Sequence, residues 1–242
     1  MQNIARILAA AVLAIGVAGA GWLAGTKLVE SRLGFRTVTV KGLAERDVKA
    51  DLGFWPMRFV ATGATLAEAR QNLEVAETSV SGFLASRGFA PGDAEVQNIL
   101  VEDKLAGYNG GDIPQEIRFV LTEDILVRSN DVVRLAEAAR NIGEMLKDGV
   151  VFTNDSWSAG PSYIFTRIND LKGEMLAEAT KRARESAETF AVQSGARVGS
   201  IQTANQGVFE ILPAIAIPND RPEKQIDKKV RVVTTVTYFL TD

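Results

Sequence analysis

The chain has 242 residues, 46% of them hydrophobic and 24% charged, with 27 Lys plus Arg against 30 Asp plus Glu and a formal net charge of -3. This is globular composition, and it excludes both a disordered chain and a nucleic-acid binder acting through a general basic field. His and Cys are absent altogether, which removes Ser-His-Asp and Cys-His catalysis, imidazole and thiolate metal sites, Cys-ligated clusters and disulfides.

Ile7 to Thr26 carries no charge, between Arg6 and Lys27. A helix of this length reaches about 30 Å, the thickness of a bilayer's hydrocarbon core. Two readings fit. Ala18-Gly19-Ala20 matches an export cleavage pattern, whereas apolar sequence continuing through Trp22, Leu23 and Ala24 favours an uncleaved anchor. We take the anchor as the expectation: residues 1–27 a membrane or signal segment, 28–36 a linker, and 37–242 a domain on the exported side. Gly21 and Gly25 form a G-x-x-x-G spacing of the kind that lets helices approach closely in lipid, so both are candidate self-association residues. Export segments are also rich in Ala and Gly for reasons unrelated to association.

Thr37 to Val40 alternates as a strand, with a break expected at Gly42 to Asp47. Asp51 to Val60 reads as a second strand. Pro56 cannot donate to a ladder, which points to an edge or a bulge. Phe54, Trp55, Met57 and Phe59 crowd that strand and are candidate self-association residues if the edge is open; the chain's own helices are the other cover available to them. Thr65 with Glu68 is a capping box opening an amphipathic helix along Leu66, Ala69, Leu73, Ala76, Val80, Phe83 and Leu84, and Gly88 is placed to end it.

Extended runs from Glu95 to Leu105 and Glu116 to Arg128 follow, joined by a Gly-rich loop. A helix capped by Asn130 or Asp131 comes next, with a core face of Val132, Leu135, Ala136, Ala139, Ile142 and Leu146. After short runs at Val150–Asn154 and Ser162–Phe165, a helix from Asn169 to Ser194 buries Leu171, Met175, Ala179, Ala183, Ala187, Phe190 and Ala191. Its i,i+4 pairs Glu178–Arg182, Lys181–Glu185 and Arg184–Glu188 read as a solvated face. Runs from Arg197 to Ile211 and Lys229 to Leu240 bracket a loop holding Pro213, Pro218 and Pro222. The last run, apolar on both faces, reads as a central strand. The expected fold class is α+β: antiparallel β-hairpins alternating with three helices, ββα repeated and ending ββ.

Candidate chemistry is sparse. Gly107 to Asp112 lacks the strand-before, helix-after context of a phosphate loop. Glu102, Asp103 and Asp112 lack the spacing of a cation loop, so no metal and no cofactor is expected. The carboxylate pairs Glu45–Asp47, Glu123–Asp124 and Asp47–Asp51 could serve a glycosidase-type reaction only at a set separation in a cleft. Trp55 and Trp157 are stacking candidates or core aromatics.

Taken in order, Thr37-Val38-Thr39-Val40-Lys41-Gly42-Leu43-Ala44-Glu45, Val127-Arg128-Ser129-Asn130-Asp131, Leu176 to Arg184 and Val230 to Val236 resemble the SIMPL-domain family of bacterial envelope proteins. Lys49-Ala50-Asp51 stands where typical members have Ala-Pro-Asp. The resemblance implies a secreted or membrane-tethered periplasmic protein, an α+β fold and a tendency to self-associate. It also implies a role loosely tied to envelope and oxidative stress, and it supplies no catalytic residues. The expectation is thus a non-enzymatic, self-assembling protein of the bacterial inner membrane, single-pass with its domain in the periplasm, or periplasmic outright if the segment is cleaved. Its expected partners are a second copy of itself and the membrane, with no nucleic acid. A periplasmic small-molecule or peptide binder, using a cleft near the Pro-rich and Gly-rich loops, is the alternative.

Overall fold

The computed structural model describes residues 14–22, 25, 36–106, 114–153, 160–218 and 221–242. Residues 14–22 and Gly25 are helical and exposed. Among the described residues no helix is long and apolar enough to cross a membrane; the remainder of Ile7–Thr26, on which the anchor reading rests, lies outside them.

The elements in chain order are strands β1 (Thr37–Lys49) and β2 (Leu52–Gly63), helix α1 (Leu66–Ser86), β3 (Ala94–Asp103), β4 (Phe119–Ser129), helices α2 (Val132–Arg140) and α3 (Gly143–Lys147), β5 (Val151–Phe152), β6 (Ser162–Ile164), α4 (Ile168–Gln193), β7 (Arg197–Gln206), β8 (Glu210–Pro213) and β9 (Asp227–Thr241). The fold is α+β with antiparallel sheets, and these elements include four helices where the sequence suggested three. The expected second helix is interrupted at Asn141, whose N–H returns to the Ala138 carbonyl. The turn puts Met145 in the core and leaves Leu146 exposed.

The chain divides into two compact units. One comprises Met1–Leu43, Ala177–Gly207 and Val233–Asp242; the other comprises Ala44–Leu176 and Val208–Val232.

In the larger unit the strand order is β3-β4-β2-β5, with β6 also pairing β2. β2 and β4 run antiparallel from Gly53↔Ser129 to Gly63↔Phe119. β2 alternates strictly, burying Trp55, Met57, Phe59 and Ala61. The edge expected at Pro56 is therefore not there: β2 is central. Pro56 is accommodated because β6 pairs with Leu52–Phe54 and β5 with Phe59–Val60, so neither short strand pairs with Pro56 itself. Helix α1 packs on β2 and β4 through Ala69, Leu73, Ala76, Val80, Phe83 and Leu84. Leu66, expected on that face, is exposed at the first turn. The Thr65 hydroxyl accepts from the Glu68 N–H at 3.2 Å, and the Glu68 carboxylate reaches back to the Ala64 N–H at 2.9 Å. Gly88 takes φ 81°, a left-handed turn that an L side chain resists.

In the smaller unit the strand order is β1-β9-β7, so β9 is central as its apolar faces suggest. β7 pairs antiparallel with β9 from Arg197↔Thr241 to Gln206↔Thr234. The small residues Ala183 and Ala187 of α4 pack against Val40, Val236 and Tyr238. Phe190, expected in that stripe, is 62% exposed. The break expected at Gly42–Asp47 is absent, and β1 is continuous.

Candidate functional site

β4 presents Leu121, Glu123, Ile125 and Val127 on one side of the sheet, and all four are buried. Three are aliphatic, as the helix-covered face of a strand requires. Glu123 is the exception, a carboxyl group at 0% exposure. Its cross-strand neighbours are Phe59 on β2 and Ile99 on β3, neither of them a hydrogen-bonding side chain. Among the described residues no group other than the neighbouring Glu77 carboxyl reaches either of its oxygens. The polar group beside it is a second carboxyl, Glu77, from α1.

Glu77 and Glu123 line one cleft with Ser81, Leu84 and Ala85 of α1, with the Phe89–Pro91 turn, and with Ala94, Val96 and Ile125 of the β3–β4 hairpin. Its volume is about 230 Å³. Burial, the contact with Glu77, and the negative charges of Glu77 and Asp124 together push the Glu123 carboxyl up to about 8. The Glu123 carboxyl therefore keeps its proton at neutral pH.

The carboxylate pairs that stand out in the sequence do not assemble. Glu123 and Asp124 point to opposite sides of β4, and Asp124 is held by the Arg58 guanidinium at 2.5 and 2.9 Å. Glu45 and Asp47 lie around Lys229 at 3.6 and 3.8 Å. Asp51 accepts from the N–H and the hydroxyl of Thr166 at 2.7 and 2.9 Å. Asp103 forms a two-point contact with Arg118 at 3.1 and 2.9 Å, leaving it poorly placed as a cation ligand. Among the described residues no group of three or more Asp or Glu is placed to hold a metal ion. Asp112, the loop Gly107 to Asp112 and Trp157 lie outside the described residues.

The self-association candidates on β2 are corrected by the same geometry. Trp55, Met57 and Phe59 are 1%, 1% and 0% exposed, inside the core formed by the chain's own helices. Phe54 faces the other way, half-buried, with the Arg128 guanidinium 5.4 Å from its ring centre. None of the three buried side chains can present a surface to a second copy, and Trp55 is no stacking platform. Gly21 and Gly25 are exposed and helical, and a Cβ on either would meet nothing within 4 Å.

Two features were illegible in the sequence. Glu77 and Glu123 are far apart in the chain and meet only because α1 crosses β4; the one sequence signal is Glu123 at an inward position between Leu121 and Ile125. Lys228 is 2% exposed and donates to the carbonyls of Pro222 and Gln225, tying down the Pro-rich segment.

The family model SIMPL, described as a protein of unknown function (DUF541), matches residues 38–238. That is most of the chain, and the protein belongs to this family. No curated protein matches the sequence. Among solved structures, one described as the "X-ray crystal structure of a putative amidohydrolase/peptidase from Burkholderia cenocepacia" is 17% identical with a TM-score of 0.23. The match covers 60% of this chain and 35% of that one, so the chain spans about a third of its length, and the likeness carries no argument about activity.

Proposed function

We propose that this SIMPL-family protein is a non-enzymatic envelope protein that self-assembles, tethered to the bacterial inner membrane with its domain in the periplasm. The tether rests on the uncharged run from Ile7 to Thr26. A role in envelope or oxidative stress is what the family resemblance suggests, and nothing in the site chemistry adds to it.

One observation carries the self-assembly reading. β3 is an edge strand ten residues long. Its side toward α1 holds Val96, Ile99 and Val101, paired with Ile125, Glu123 and Leu121, and each of the three is about half exposed. The opposite side holds Leu100, also exposed. A long edge with apolar residues on both sides is a template for another chain. A second copy of this protein brings the same surface, and a twofold axis closes the contact so that the β3 edge of both copies is covered. This relocates the surface from β2, where the sequence suggested it, to β3.

The test is a native mass measurement on the detergent-extracted full chain, with Ile99→Lys and Val101→Lys as variants. The reading expects an oligomer that these substitutions dissociate while the far-ultraviolet spectrum stays unchanged. A monomer across the micromolar range, or an oligomer indifferent to both charges, would refute it. The alternative, small-molecule binding, is favoured by the Glu77–Glu123 cleft.

A further inference from the structure

We infer that the end of the smaller unit at which the chain arrives from its N-terminal segment rests on the bilayer, with Phe190 and Val192 of α4 between headgroups and acyl chains and Arg197 at the phosphates. The inference rests on the tether proposed above and adds which surface of the domain the tether brings to the membrane. It is independent of the β3 edge.

Three elements and the chain's entry meet at this end. The Arg36 carbonyl, one residue before β1, accepts from the Leu240 N–H of β9 at 2.7 Å. Arg197, the first residue of β7, pairs with Thr241 of β9. α4 passes into β7 through a tight turn, in which the Gly195 N–H donates to the Val192 carbonyl and the Ala196 N–H to the Ala191 carbonyl. The last turn of α4 therefore lies at the end where the chain enters the domain.

The exposed apolar surface of this unit is gathered there. From Arg36 onward, its exposed large apolar side chains among the described residues are Phe190, Val192 and Ile201. Phe190 and Val192, 62% and 73% exposed, occupy the last turn of α4, and Ile201 lies in the first half of β7. Keeping such a cluster in water is unfavourable, so its concentration at one end marks a contact surface.

Helix geometry selects what covers it. Ala191 is buried between the two, and at about 100° per residue Phe190 and Val192 project to opposite sides of it. A protein lying along one side of α4 covers one of the pair and leaves the other wet. A surface that meets the end of the helix reaches both. The bilayer is such a surface and is close: residues 27–35 separate the uncharged run from Arg36, and a stretch of that length extends at most about 30 Å. Arg197 is exposed and forms no ion pair among the described residues, which leaves its guanidinium for a two-point contact with lipid phosphate. The charge of Arg36 is met by Asp242 at 2.8 Å, so the contact is chiefly apolar. Two apolar side chains hold a free domain weakly, but a short linker keeps them at about millimolar effective concentration over the membrane.

The chain has no Cys, so one introduced Cys carries a fluorescent label at a chosen position. The full chain is reconstituted in vesicles of phosphatidylethanolamine and phosphatidylglycerol whose acyl chains are brominated near the headgroup and quench a fluorophore on contact. The labelled variants are Ala14→Cys in the apolar segment, Gln193→Cys beside the patch and Asn205→Cys near the far end of β7, all at exposed positions. The inference expects strong quenching in the first two and little in the third. Phe190→Ser with Val192→Ser, both at exposed positions and checked for an unchanged far-ultraviolet spectrum, is expected to lower the ratio of lipid-bound to free domain end at least about tenfold, and with it the quenching at Gln193→Cys. Quenching at Ala14→Cys without quenching at Gln193→Cys would overturn the inference and leave the tether standing. Equal quenching at Gln193→Cys and Asn205→Cys, or quenching that survives the double substitution, would overturn it as well. No quenching at any position would refute the tether and the inference together.

Discussion

A Cβ on Gly42 would stand 1.8 Å from the carbonyl oxygen of Ala179 and 2.6 Å from the Ala183 N. The backbone of β1 and that of α4 thus meet with no side chain between them. Two small residues one helical turn apart, Ala179 and Ala183, provide the flat helix face that this requires.

Gly42→Ala is accordingly expected to cost about 3 kcal/mol or more, because backbone on both sides must move to admit the methyl. Chemical denaturation of the variant measures it. Gly173→Ala, where a Cβ meets nothing within 4 Å, is the control and is expected to be neutral or slightly stabilising through helix propensity. Equal effects in the two variants would contradict the close approach.

The Glu123 carboxyl makes stability fall toward alkaline pH. Its proton affinity in the folded chain is pushed up to about 8 from an ordinary 4.5, so the fold holds a proton that the unfolded chain has already released. The contribution is complete below the ordinary value and is lost as pH rises through the folded one. Glu123→Gln removes that proton linkage. The variant is expected to be more stable than the parent above about pH 8 and to lose most of the slope between the two values, read from denaturant midpoints across pH. A parent and variant with parallel pH profiles would show that Glu123 is ionised throughout.

Arg58 and Asp124 are cross-strand partners on β2 and β4, joined by a two-point contact. The Asp124 side chain is 8% exposed and that of Arg58 30%. Removing the guanidinium leaves a buried carboxylate without its counter-charge, whereas removing the carboxylate leaves a cation that can turn to solvent. Arg58→Ala is therefore expected to cost about 2–3 kcal/mol, and Asp124→Asn clearly less. Thermal unfolding of the two variants measures the asymmetry, and the reverse order would place the pair nearer the surface than its geometry indicates.

Much of the scaffold is legible in residue order. The period of Ala69, Leu73, Ala76, Val80 and Phe83 defines α1 before any coordinates, and the two apolar faces of Val230 to Leu240 mark a central strand. What fails does so for non-local reasons. Pro56 looks like an edge residue because sequence does not show that β5 and β6 stop on either side of it. Trp55, Met57 and Phe59 look like exposed surface because their cover, α1 and the α2–α3 pair, is built from residues elsewhere in the chain. Gly42 reads as a break because its actual role depends on Ala179. The candidate site was the least legible part: adjacent acids such as Glu123 and Asp124 attract attention, yet strand alternation sends them to opposite faces, and the partner that matters, Glu77, comes from a helix.

Asp51 gives the opposite pH dependence to Glu123. It sits between β1 and β2 and reaches the segment that leads into α4, accepting from the Thr166 N–H at 2.7 Å and the Thr166 hydroxyl at 2.9 Å, with the Arg167 guanidinium at 3.3 Å. Burial pushes its carboxyl up, but the two Thr166 hydrogen bonds and the Arg167 charge outweigh this and hold it below the usual carboxylate range. The folded chain therefore releases the proton at lower pH than the unfolded chain does. Its stabilisation is present above the ordinary value of 3.8 and is lost as pH falls through the folded one. Asp51→Asn keeps the size and one acceptor oxygen while removing the charge, and is expected to cost about 1 kcal/mol at neutral pH. The difference between parent and variant is expected to shrink as pH falls below the ordinary 3.8 and through the lower folded value, where the parent carboxyl also becomes neutral. Denaturant unfolding of both proteins at neutral and acidic pH measures it. A cost that persists undiminished in acid would mean that Asp51 acts through shape and not through charge.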